Sequence, residues 1–107
     1  MSTADNSAAV FAALGDPTRL MLVGRLRGGE AQSIAALSGG ARISRQAMTK
    51  HLHVLEGAGL VTHRRVGRES RYALRPEPLL AARSYLDEVS SCWEVALERL
   101  QAFVGDD

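Results

Sequence analysis

Residues 43–74, ISRQAMTKHLHVLEGAGLVTHRRVGRESRYAL, join a helix with one polar face to an arginine-rich hairpin, and this junction decides the fold. Ser44 suits a helix N-cap, because its hydroxyl can accept from a free N–H of the first turn. Met48, Leu52 and Leu55 then recur at i, i+4 and i+7, a core-facing stripe that predicts a helix to Gly57. The opposite stripe is Arg45, Gln46, Thr49, Lys50 and His53. Its hydrogen-bonding groups and modest positive charge suit the edges of DNA bases, whereas an ordinary surface helix more often carries Glu–Lys pairs.

Gly59 releases the chain into two β-prone arms, residues 60–66 and 70–74, about a charged turn at Gly67-Arg68-Glu69. This predicts a hairpin with arginine at its tip. A hairpin directly after a base-reading helix is a wing. Two strands alone are marginal, so Leu60, Val66, Tyr72 and Leu74 are expected to pack on the helices.

Upstream, Asn6 or Ser7 is positioned to cap a first helix with Val10, Phe11 and Leu14 on one face, ended by Gly15. Asp16-Pro17 supplies a cap and a residue without an N–H, opening a second helix through Leu20, Val23 and Leu26. Residues 30–37 read as a short third helix with Ile34 and Leu37 inward, closed by Ser38-Gly39-Gly40. The turn between this helix and the polar-faced one makes residues 30–58 a helix-turn-helix, followed by the wing at 60–75.

Pro76 and Pro78 precede a last helix expected over 79–104. Its apolar positions Ala82, Leu86, Val89, Trp93, Ala96, Leu100 and Phe103 alternate spacings of four and three, a heptad seam. Four other helices suffice to cover one small core, so the seam is expected to meet a second copy of the chain, with Val10, Phe11 and Leu14 joining the contact. The fold expected is therefore mainly α, one domain over 1–107 with about five helices and a small β-hairpin wing, paired as a homodimer through its terminal helices.

Charge supports the same division. Residues 42–75 hold eight basic side chains against Glu56 and Glu69, a net +6, which leaves −5 elsewhere in a chain whose total is +1. Clustered positive charge releases counterions from a polyanion, as a scattered distribution would not. MSTADNS has none of the features of a secretion signal, no apolar run is long enough for a bilayer, and Cys92 is the single cysteine. The expectation is a cytoplasmic protein that does not engage a membrane.

The order Ala13-Leu14-Gly15-Asp16-Pro17-Thr18-Arg19, then the helix-turn-helix at 33–59, then Ala58-Gly59-Leu60-Val61 and the wing Gly67-Arg68-Glu69-Ser70-Arg71-Tyr72, resembles the ArsR family of winged helix-turn-helix repressors over nearly the whole chain. The resemblance implies a homodimer that binds palindromic operators in double-stranded DNA, its own promoter among them, represses transcription and releases DNA when an inducer binds. Well-known members sense metals through a Cys-x-Cys pair. Here the corresponding positions look like Ser33 and Ala35, and the last helix contains no His. A metal site needs several converging N, S or O donors, so none is expected, and the Trp93 region is similar to the metal-independent, SdpR-like branch. The sequence does not give the inducer, and a small molecule is one candidate for it.

The site expected is thus Arg45, Gln46, Thr49 and Lys50 in the major groove, with His53 on the same stripe. Ser44 and His51 would hold backbone phosphates, and Arg64, Arg65, Arg68 and Arg71 would carry the wing onto the backbone or minor groove. No Gly-rich phosphate loop, nucleotide fingerprint or nucleophile–base pairing is present, so no catalytic residue and no cofactor are expected. A metal- or redox-responsive repressor, and a basic module that binds an acidic protein, stand as alternatives.

Overall fold

The computed structural model describes residues 3–40 and 42–105; Met1, Ser2, Ala41, Asp106 and Asp107 lie outside that description, as do those ends of the expected domain. The order is α1 (Thr3–Leu14), α2 (Pro17–Arg25), β1 (Gln32–Ser33), α3 (Ile34–Leu37), α4 (Arg45–Gly57), β2 (Val61–Val66), β3 (Glu69–Leu74) and α5 (Pro76–Gly105). The strands form an antiparallel sheet in the order β1-β3-β2.

The core gathers one stripe from each helix. Leu22 and Leu26 of the α2 region, Leu37 of α3, and Met48, Leu52 and Leu55 of α4 are fully buried, joined by Val10 and Ala13 of α1, Leu60, Val61, Tyr72 and Ala82. Val66 is expected to pack on the helices and is instead exposed, as is Leu20 of α2. Leu22 and Leu26, at i and i+4, occupy the α2 core face, and Val66 lies next to the hairpin turn, beyond the reach of the helices.

Capping groups set the boundaries. Asp16 accepts from the Arg19 N–H at 3.1 Å with Pro17 opening α2, and Ser44 accepts from Ala47 N–H at 3.1 Å. The expected caps of α1, Asn6 and Ser7, lie inside a helix that starts earlier, at Thr3. The third helix is shorter than expected. Ser33 caps it, while Gln32 and Ser33 pair with Tyr72 and Arg71 along the edge of β3 that β2 leaves open. Pro76 and Pro78 do not precede the last helix but form its first turn, where N–H groups have no intrahelical acceptor and their loss is harmless.

The end of α4 aims the wing. Leu60 N–H donates to Leu55 C=O at 3.0 Å and Gly59 N–H to Glu56 C=O at 2.9 Å, with Gly59 at φ 78, a Schellman closure that suits glycine. At the tip, Val66 pairs with Glu69, so the turn is two residues, Gly67-Arg68, and Glu69 belongs to the strand. Gly67 has φ 64 and, among the described residues, no non-glycine residue has a positive φ, the pattern of a type II′ hairpin turn.

The molecule measures 69 × 31 × 21 Å because α5 runs on past the core. Its first turns pack on α1, where Phe11 meets Tyr85 with ring centroids 6.4 Å apart. Beyond Ala82 the helix is exposed apart from half-buried Val89. Among the described residues, no helix is long and apolar enough to cross a membrane.

Candidate nucleic-acid interface

Arg45, Gln46, Thr49, Lys50 and His53 share one shallow patch on α4, opposite the buried Met48, Leu52 and Leu55. At about 100° per residue these five side chains span an arc of about 140°, wide enough to face a groove floor and one of its walls. Thr49 is already partly committed. Its hydroxyl donates to the Arg45 carbonyl at 2.8 Å, which leaves its methyl group and oxygen lone pairs for an outside partner.

The wing separates its arginines by strand alternation. Arg64 pairs with Arg71 on one face, together with Thr62–Ala73 and Val66–Glu69. Arg65 pairs with Ser70 on the opposite face, in line with His63–Tyr72 and Val61–Leu74. The four wing arginines expected to act together are all exposed, but they point three ways: Arg64 and Arg71 outward on one face, Arg65 on the other, and Arg68 at the tip. Two arginines directly opposite each other repel, and an anion between them would relieve that repulsion. Arg71 is partly answered by Glu69, with Nε 3.3 Å from the carboxylate.

His51 stands apart from the reading stripe. It lies on the flank of α4 against the start of α2, its Nδ1 3.3 Å from the Arg19 guanidinium and 3.7 Å from the Asp16 carboxylate. Arg19 also donates from Nε to the Ala13 carbonyl at 2.6 Å, so one side chain ties the end of α1 to α2 and α4. The Arg19 backbone N–H, with His51 adding to it, holds the Asp16 carboxyl below its ordinary value. This cluster was not foreseen. Its trace in the sequence is an arginine just after a helix break, where it can reach the carbonyls of the preceding helix.

A second unforeseen contact joins α4 to the wing. Glu56, in the last turn of α4, meets His63 of β2 through the imidazole Nδ1, and His63 stacks on Tyr72 with centroids 5.2 Å apart. Burial, with the Glu56 charge adding to it, pushes the Tyr72 hydroxyl pKa up. Among the described residues, no three His, Cys, Asp or Glu side chains gather where they could hold a metal ion.

On α5 the seam residues Leu86, Trp93, Leu100 and Phe103 are exposed by 51%, 64%, 57% and 79%. Ala96 is exposed as well, while Val89 is half-buried. Val10 departs from expectation: it is 1% exposed within its own protomer and has no surface left for a subunit contact. Phe11 and Leu14 remain half-buried.

A helix-turn-helix domain family model matches residues 14–64. The HTH-type transcriptional regulator Rv2034 of Mycobacterium tuberculosis is 36% identical over the whole of this chain and 99% of its own length. An ArsR-like transcriptional regulator from Rhodococcus sp. RHA1 superimposes with a TM-score of 0.78 at 35% identity, covering 96% of each chain. The homodimeric winged helix-turn-helix DNA-binding domain of Mb0332 from Mycobacterium bovis matches with a TM-score of 0.63 at 26% identity, covering 92% of this chain and 84% of that one. With this fold, this polar-faced α4 and these relatives, the chain belongs to the ArsR family of helix-turn-helix transcriptional regulators.

Proposed function

We propose that the protein is a homodimeric repressor that binds a palindromic operator, its own promoter among the targets, and releases it to a small-molecule inducer. The observation that carries this reading is the single patch of Arg45, Gln46, Thr49, Lys50 and His53 on α4, flanked by exposed wing arginines. Gln46, Thr49 and Lys50 enter the major groove, and Arg64 and Arg71 take the wing to the adjacent backbone or minor groove. Ser44, at the α4 N-terminus, offers its hydroxyl to a phosphate. His51, tied to Asp16 and Arg19, serves the fold before it serves DNA.

The exposed α5 seam takes a second copy, which sets the two reading helices about one helical turn, roughly 34–36 Å, apart on the duplex. Mb0332 is described as homodimeric, in keeping with that pairing. Ser33 and Ala35 replace a thiolate pair, and α5 contributes no His, so the inducer is not a metal ion.

The test is fluorescence anisotropy on a duplex from the gene's own promoter, across a salt series. Affinity should fall steeply with salt, and Gln46→Ala should narrow the gap between operator and random DNA by about 1–3 kcal/mol. A flat salt response would remove the DNA-binding reading. Equal losses on both duplexes would remove Gln46 as a base reader.

A further inference from the structure

We infer that the cleft between α4 and the wing tip seats one phosphodiester of the DNA backbone, gripped from opposite sides by Arg45 and Arg68, so that Arg45 is a clamp and not a base reader. The inference rests on the DNA-binding reading above and adds a site to it. The cleft has a volume of about 400 Å³, with Arg45 and Thr49 on the α4 side, Arg68, Glu69 and Ser70 on the wing side, and Ser33 at the start of α3.

Its chemistry is that of an anion seat. Neither the Arg45 nor the Arg68 guanidinium has a hydrogen-bond or ion-pair partner among the described residues, so two sets of planar donors stand ready. The Ser33 Oγ accepts from the Ala36 N–H at 3.1 Å, which leaves its own proton to donate outward. Thr49 sends its proton back to the Arg45 carbonyl and turns no donor outward. The single acid on the lining, Glu69, is engaged by Arg71 at 3.3 Å, so its charge is largely answered.

Geometry supplies the occupant. A helix in the major groove and a wing at the neighbouring minor groove stand on either side of the sugar–phosphate ridge between those grooves. The ridge must therefore cross between the two elements, and this cleft is the space between them. Arg45 and Thr49 border both the cleft and the base-facing patch, which places Arg45 at the edge of the reading stripe, next to the backbone.

The experiment uses full-length protein and a duplex enriched from random DNA by the wild type. Binding is measured for wild type, Arg45→Ala, Arg68→Ala and Arg45→Lys on that duplex, on a random duplex, and on versions with a neutral methylphosphonate at the same linkage of both half-sites, each linkage in turn. Each alanine variant should weaken both natural duplexes alike, by about sixtyfold at 0.1 M salt, about eightfold for one released counterion at each of the two half-sites, and Arg45→Lys should retain most of the affinity. At one linkage per half-site the neutral group should weaken wild type similarly, and there neither alanine change should lower affinity by more than about twofold further. Loss of preference for the enriched duplex in Arg45→Ala would make Arg45 a base reader and overturn the clamp, while DNA binding stood. Sensitivity of the two variants to different linkages would overturn the shared seat. Failure of the wild type to enrich any duplex would instead defeat the DNA-binding reading itself.

Discussion

Replacing Trp93 by alanine should separate the protomers without unfolding them. Trp93 leaves 64% of its surface in water in the single chain. Of the roughly 250 Å² that a tryptophan can bury, about 160 Å² is then available to a partner. At about 25 cal/mol per Å², full coverage would contribute about 4 kcal/mol per protomer. An interface covers one side of a protruding ring, which halves the figure to about 2 kcal/mol, and both protomers of the variant lose it. The dimer should weaken by about 4 kcal/mol, roughly a thousandfold in Kd. Sedimentation equilibrium over a dilution series reads this directly, and thermal unfolding of dilute monomer should be unchanged, because Trp93 is not part of the buried core. A dissociation constant moved less than tenfold, or a monomer that melts early, would show that the seam packs elsewhere.

Leu52→Ala removes a fully buried side chain from the α4 core face and should lower stability by about 2–5 kcal/mol, read as a shifted urea midpoint at constant slope. Gly67→Ala meets no atom within 4 Å of the new Cβ, so only its positive φ opposes it. About 1–2 kcal/mol of backbone strain should lower Tm by roughly 4–8 °C per kcal/mol, and an unchanged Tm would mean that the turn had switched type. Asp16 has a depressed carboxyl pKa, so its stabilisation is complete above the ordinary value of 3.8 and is lost as pH falls through the lower folded value. Asp16→Asn should therefore flatten the acid limb of a stability–pH profile below about pH 4, and an unaltered limb would contradict the capping role.

What could be read in advance was local. The i, i+4, i+7 stripe of Met48, Leu52 and Leu55, the Asp16-Pro17 opening and the arginine-tipped hairpin each carry their signal within a few residues, and each is present in the structure. What could not be read depends on partners distant in sequence. Gln32 and Ser33 become a strand because β3, some forty residues on, offers them an open edge. His51 reads as a phosphate contact until Asp16 and Arg19 are brought to it from the start of α2. Pro76 and Pro78 suggest a break because proline stops most helices, yet both fit a first turn. Strand alternation also divided a run of arginines that composition treated as one patch.

These contacts bear on how a signal on α5 would reach DNA. The Schellman closure at Gly59, the Glu56–His63 contact and the Arg75 N–H to Leu60 carbonyl bond at 2.7 Å join α4 to the wing at several points. The end of the reading helix and the base of the wing are therefore tied into one body. Arg75 ends the wing and Pro76 begins α5, with Pro78 lying beside Gly59, so the helix that would hold the partner starts on that same body. A change in how two α5 helices pack would leave each half-site contact intact and alter the distance and angle between the halves. An inducer acting there should weaken binding to a two-half-site duplex much more than to a single half-site, and equal weakening of both would place its effect inside one protomer, at α4 or the wing.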